Sequence, residues 1–289
     1  MSSLEQGNRF GLPYHLGLPA WAFAGWKGAF FPSNITPLKA YSGIFNTVEG
    51  NTTFYQIPDA KMVQGWLQAV KDSDFRFSFK LPRSVTHERQ PAWDDLEGFL
   101  NSIKPLRPYL GPFLLQFPDR VGPDQLSMIS AIVERLPQHA QHVVEVRHPA
   151  FFQQPERLEP LLQRYELGRV SMDTRALYQG DRQHPEVLAA LHKKPDLPVL
   201  THVYNDLLYV RLILHPDRRD NQRYIDEWAQ HVAAALNRGQ TCYVMIHCPN
   251  NQYCPDLALE FHRSLMTRIA PSGLPQLAPW PVPQQASLI

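Results

Sequence analysis

The sequence predicts an α/β protein, a single (β/α)8 TIM barrel, on three observations. Eight short apolar runs read as strands, helical patterns separate most of them, and no glycine-rich phosphate loop follows an early strand. Strands that alternate with helices pair in parallel, and eight such units in roughly 250 residues meet the requirement of a closed barrel. The alternative, an open doubly wound sheet, would carry Gly-x-Gly-x-x-Gly or a phosphate-loop motif after an early strand.

Taken in order, YHLGL (14–18) opens the series, followed by the aromatic loop PAWAFAGWKGAFFP, in which Trp21 and Trp26 are candidates to wall a pocket. FNTVEGN (45–51) is the second strand, and DAKMVQGWLQAV after it starts at Asp59, a capping residue. FRFSFK (75–80) precedes the loop THER and the helix DDLEGFLNSI, with Asp94 at its start. FLLQF (113–117) precedes PDQLSMISAIVERL, where Pro123 suits a first helical turn. HVVEVR (142–147) is followed by PERLEPLLQRY, and RVSMD (169–173) by the weaker PEVLAALHKK. LLYVRLIL (207–214) leads to the helix QRYIDEWAQHVAAALNRG, stopped at Gly239, and TCYVMIH (241–247) is the eighth strand. The segment PSGLPQLAPWPVPQQASLI is rich in proline and poor in charge, so the barrel domain is expected over residues 1–270 and a disordered tail over 271–289.

Composition narrows the function classes. The 289 residues carry 28 Lys plus Arg against 27 Asp plus Glu, a net charge of +1, so direct nucleic-acid binding is not expected. The sequence has neither an apolar leader at its start nor a run of membrane-spanning length, which predicts a soluble, cytoplasmic protein. Cys242, Cys248 and Cys254 are odd in number and crowded together, which predicts reduced thiols rather than a disulfide framework, and their spacing beside His247 fits no zinc pattern.

Alternation along the strands separates a greasy face from a polar one. Helices cover the outside of a barrel, so the polar face is expected inward. The polar positions fall near strand ends, where barrels of this kind hold their sites: Glu49 and Asn51, Lys80, Gln116, Glu145 and Arg147, Asp173, Arg211 and His247, with His87 in the loop after the third strand. An inward salt-bridge network that only fixes strand register is the bland alternative, but such pairs often break even against apolar packing. Glu49, Lys80, Glu145 and Asp173 are the candidate catalytic groups, Glu145 as an ionised base and Lys80 or a histidine as the acid. Asn51, His87, Gln116, Arg147, Arg211, Trp21, Trp26 and His247 are the candidate substrate contacts. Cations beside the carboxylates compete with a divalent metal, so no metal and no cofactor are predicted. The mouth suits a small polar or anionic ligand, and hydrolase, isomerase and lyase chemistry all stay open.

The chain resembles the YecE-like family of TIM-barrel domains of unknown function over about residues 14–270. VEGNTTFYQIP, then WLQAV, FRFSFKLP and THER are similar to the family's Val-Glu-x-Asn-x-Thr-Phe-Tyr block and its continuation, and LGPFLLQFP, VVEVRHPAFF and VSMDTR resemble its later signatures. The resemblance implies the barrel and supplies no reaction. Three blocks depart from it. Gly17-Leu18-Pro19-Ala20-Trp21 stands where many members have Gly-Thr-Ser-Gly-Trp, Arg211-Leu212-Ile213-Leu214-His215 replaces Arg-x-His-Gly, and HCPNN replaces the usual Asn-Asn.

The last five residues, Gln285-Ala286-Ser287-Leu288-Ile289, resemble the peptides with which bacterial replication and repair proteins dock onto the DNA sliding clamp. In such a peptide Gln285 would hydrogen-bond at a pocket rim while Leu288 and Ile289 fill it. A non-catalytic protein that binds a ligand or docks to the clamp is therefore the alternative to an enzyme.

Overall fold

The computed structural model describes residues 12–31 and 34–269. It contains eight parallel strands in chain order: β1 (His15–Gly17), β2 (Thr47–Gly50), β3 (Arg76–Phe79), β4 (Phe113–Gln116), β5 (His142–Glu145), β6 (Gly168–Asp173), β7 (Leu207–Ile213) and β8 (Thr241–His247). Each lies on a run predicted as a strand. They form a six-stranded sheet in the order β1-β8-β7-β6-β5-β4 and a two-stranded sheet β2-β3.

The two sheets meet at two seams, where side chains do part of the work of a backbone ladder. Between β1 and β2, the Asn46 amide accepts from Leu16 N–H and donates to Tyr14 O, both at 2.8 Å. Nearby, the Tyr41 hydroxyl accepts from Leu18 N–H and donates to Thr47 O, both at 2.8 Å. The approach is so close that a Cβ at Gly17 would lie 2.4 Å from Thr47 O, which only glycine avoids. Between β3 and β4, Gly111 N–H donates to Phe77 O at 2.9 Å and Leu81 N–H to Leu114 O at 3.1 Å. Beside them the Ser78 hydroxyl donates to the Pro112 carbonyl at 2.7 Å, a side-chain bond across the same seam.

Helices follow the strands as the patterns predict. Asp59 caps Ala60–Val70 by accepting from Met62 N–H at 2.8 Å, and Gly239, at φ 75°, ends the chain's turn out of Gln222–Asn237. Asp94 lies in the first turn of Trp93–Ser102 rather than at its cap. A helix at Cys254–Met266 was not among the predicted elements, although Leu257, Ala258, Phe261 and Leu265 recur at helical spacing and are buried.

Strand parity divides the buried residues into two layers. Val48, Phe77, Phe79, Leu115, Val144, Val210, Leu212, Val244 and Ile246 belong to the large outer cluster with the helices. Leu114, Val143, Val170, Met172, Leu207, Tyr209, Tyr243 and Met245 form a separate cluster on the other face of the strands. No described helix is long and apolar enough to cross a membrane. Cys242, Cys248 and Cys254 are free and buried. The predicted tail, with Gln285, Leu288 and Ile289, lies outside the described residues.

Candidate functional site

Above the second cluster, at the carboxyl ends of the strands, the side chains turn polar. Arg211 of β7 is the hub. It is 3% exposed and holds Glu49 of β2 through Nε–Oε2 at 2.8 Å and Nη2–Oε1 at 2.9 Å, while Nη1 donates to Glu145 Oε2 of β5 at 2.6 Å. The second oxygen of Glu145 accepts from Arg147 Nε at 2.8 Å and from Gln116 Nε2 at 2.7 Å. Gln116 in turn accepts from Lys80 Nζ at 2.5 Å. Asn51, which starts a short 3-10 helix directly after β2, donates to Glu49 Oε1 at 2.9 Å and to Pro19 O at 3.0 Å. His247 Nε2 lies 3.5 Å from Glu49 Oε1, outside hydrogen-bond geometry, and is buried without a hydrogen-bond partner.

These side chains border a cavity of about 890 Å³. Asn51, Lys80, His87, Gln116, Arg147, Arg211 and His247 line it, and Glu49 and Glu145 sit directly behind. The histidine after β3 is half-buried, bonds Thr86 Oγ1 through Nδ1 at 2.9 Å and meets the Phe54 ring edge-on at 4.8 Å.

The charges respond to this packing. Burial alone would raise Glu49 and Glu145, but Arg211, joined by Arg147 at Glu145, holds both carboxyls well below the usual range. Burial and the Arg211 charge lower Lys80 to about 7. Burial lowers His247 and His87 to about 4 each, with Lys80 adding to the effect at His87, so both imidazoles are neutral at pH 7.

Three expectations are corrected. Asp173 does not join the ring. In the β6–β7 register Met172 pairs with Arg211 and Asp173 with Leu212, so Met172 shares the inward face and Asp173 points outward to the helices. There it accepts from Trp228 Nε1 at 2.8 Å and pairs with Arg175 Nη2 at 2.7 Å. Polar alternation on β6 therefore reports an anchor for the helix Gln222–Asn237, and Val170 and Met172 are the residues facing in. Trp21 and Trp26 do not wall the mouth either. Trp21 packs edge-on against Trp66 at 5.1 Å and Phe77 at 6.2 Å, in the outer layer, and Trp26 is 1% exposed with Nε1 donating to Asn251 O at 3.0 Å. Glu145 is also poorly suited to act as a base, because both oxygens are occupied by cationic or amide donors and its affinity for a proton is depressed.

Sequence reasoning missed several lining residues. Phe54 and Tyr55 follow β2, and Arg83 follows β3, so the strand-end rule applied further into the loops would have found them. Lys193 and Lys194 end the weak helix pattern before β7, where lysines also read as ordinary complements of a helix terminus. Glu186, beside them, accepts from Asn250 Nδ2 at 2.7 Å, and its other oxygen is buried without a partner. At the position where many relatives have a histidine on the seventh strand, Ile213 packs in the second cluster, and the following His215 is buried against Asn221 and Asp181.

A parallel α/β fold with a polar, cation-rich cavity at its strand ends defines the class. The chain belongs to the family described as protein of unknown function DUF72, whose model matches residues 15–283. It is 33% identical over 281 residues to the UPF0759 protein YecE of Escherichia coli K12, covering 95% of this chain and 99% of that one. In fold it is similar to a DUF72 family protein from Thermotoga maritima (TM-score 0.65, 22% identity, 87% and 98% of the two chains). A DUF72 family protein from Enterococcus faecalis gives TM-score 0.63 at 20% identity, over 87% and 97% of the chains.

Proposed function

We propose that the two seams close the strands into a (β/α)8 barrel over the domain expected at residues 1–270, and that its mouth is the active site of an enzyme for a small anionic substrate. The supporting observation is the charge of the lining. Arg83, Arg147, Lys193, Lys194 and Arg211 supply five cations beside the readily deprotonated Lys80, and Glu186 is the one carboxylate among the residues lining the cavity. Glu49 and Glu145 stand behind, committed to Arg211 and Arg147, so the net field at the ligand is positive. In this reading Glu49 and Glu145 hold the guanidinium groups in place, and Lys80 moves the proton at neutral pH. Asn51, Gln116, His87 and His247 contact the polar groups of the substrate.

Thermal unfolding in a panel of phosphate, phosphomonoesters, hydroxy acids and neutral sugars tests the proposal. Anionic members are expected to raise Tm and neutral ones to leave it unchanged, with the rise reduced in a Lys193→Ala/Lys194→Ala variant. A panel in which no anion moves Tm contradicts it. Lys80→Met separates an enzyme, which loses turnover of the stabilising ligand, from a binding protein, in which no turnover is present to lose.

A further inference from the structure

Lys80 is 8% exposed, and a buried ammonium normally sits against a carboxylate. Among the described residues none lies within ion-pairing distance of its Nζ. The two nearby carboxylates, Glu49 and Glu145, are engaged by Arg211 and Arg147 instead. What Nζ has is one neutral acceptor, Gln116 Oε1, and the face of Phe54, 3.6 Å from the ring centroid. The arrangement buries the amine at the cavity wall without an ion-pair partner and with Arg211 and Arg147 nearby. It therefore releases a proton easily and keeps a free lone pair, consistent with its lowering to about 7. An amine serving only to attract an anion needs no such burial, and Lys193, which lines the same cavity, is exposed.

We infer that Lys80 is a covalent nucleophile and that the substrate is an anionic aldehyde or ketone that condenses with Nζ to an imine; the inference rests on the anion-binding reading of the cavity. The Nζ lone pair forms a bond to the carbonyl carbon, and the carbonyl π pair becomes a hydroxyl after taking up the proton that nitrogen gives up. That hydroxyl then leaves as water on receiving a second proton, which yields the protonated imine without any oxidant or reductant. Arg83 and Lys193 at the rim, with Lys194 deeper and lowered to about 8 by burial and the Arg211 charge, hold the anionic group of the substrate.

Pyridoxal phosphate, an anionic aldehyde, is the probe, with borohydride to reduce the imine and peptide mass mapping to locate it. At neutral pH the adduct is expected on Lys80, about tenfold weaker with uncharged pyridoxal and suppressed by excess inorganic phosphate. A Lys80→Arg variant, which keeps the cation and the fold, is expected to retain the Tm rise with phosphate and to lose the adduct. Labelling confined to other lysines, with Lys80 unmodified, overturns the inference. If phosphate raises Tm while Lys80 stays unlabelled, the imine is wrong and the anion site stands. If neither phosphate nor pyridoxal phosphate moves Tm, both readings fall together.

Discussion

Arg211 shows how a single side chain sets the chemistry of its neighbours. Its guanidinium spans two carboxylates that would otherwise repel each other in a poorly solvated space, and in doing so it takes from Lys80 the partners a buried amine would normally have. Replacing it by methionine leaves Glu49 without an ion-pair partner of fixed charge and Glu145 with Arg147 alone, and Arg211→Met is expected to lose about 3–5 kcal/mol in denaturant unfolding. The pH dependence follows the same logic. Because both carboxyls are held well below their unfolded values, their contribution is complete above the ordinary carboxylate pKa of about 4.3 and is lost as pH falls below it towards the folded values. The variant is expected to show a smaller acid-side decline, since the guanidinium's share of the depression is lost at both groups while Arg147 still holds Glu145. Much of this is legible in the sequence: strand parity together with position near the strand ends puts Glu49, Lys80, Gln116, Glu145 and Arg211 on one rim. What the alternation did not reveal was which cation would take which acid, because that depends on register across strands far apart in the chain.

At the level of elements, β6 is where the parity argument failed. Its sequence alternates as cleanly as that of β5, but polar alternation reports only that two faces differ, and which one faces inward is set by pairing with β7. Asp173 consequently ties Arg175 to the end of β6 and receives Trp228 from the helix Gln222–Asn237. Asp173→Asn is expected to cost about 1–3 kcal/mol of stability through these charge-assisted bonds, measured by thermal or denaturant unfolding, while the Tm rise produced by anions is preserved. A variant that kept full stability and lost anion binding would return Asp173 to the site. The seams show a related limit. Asn46 and Tyr41 supplement the single Glu49 N–H to Leu18 O bond between β1 and β2, and neither carries a local signal of that task.

For the molecule as a whole, the order of eight parallel strands was readable because apolar runs and helical periods alternate so regularly, and the family similarity agrees with it. The cavity itself was only half readable. Strand-end residues follow from the architecture, but Lys193 and Lys194 reach the mouth from the long connection between β6 and β7, whose path no local pattern fixes. The proton transfer and the covalent chemistry of this account need a lysine whose proton is loosely held beside cations. The most direct test is a pH titration of the Lys80 side-chain ammonium by NMR, assigned by its loss in Lys80→Arg. A midpoint of about 7 is predicted, and titration near the ordinary value of 10.5 would contradict the account.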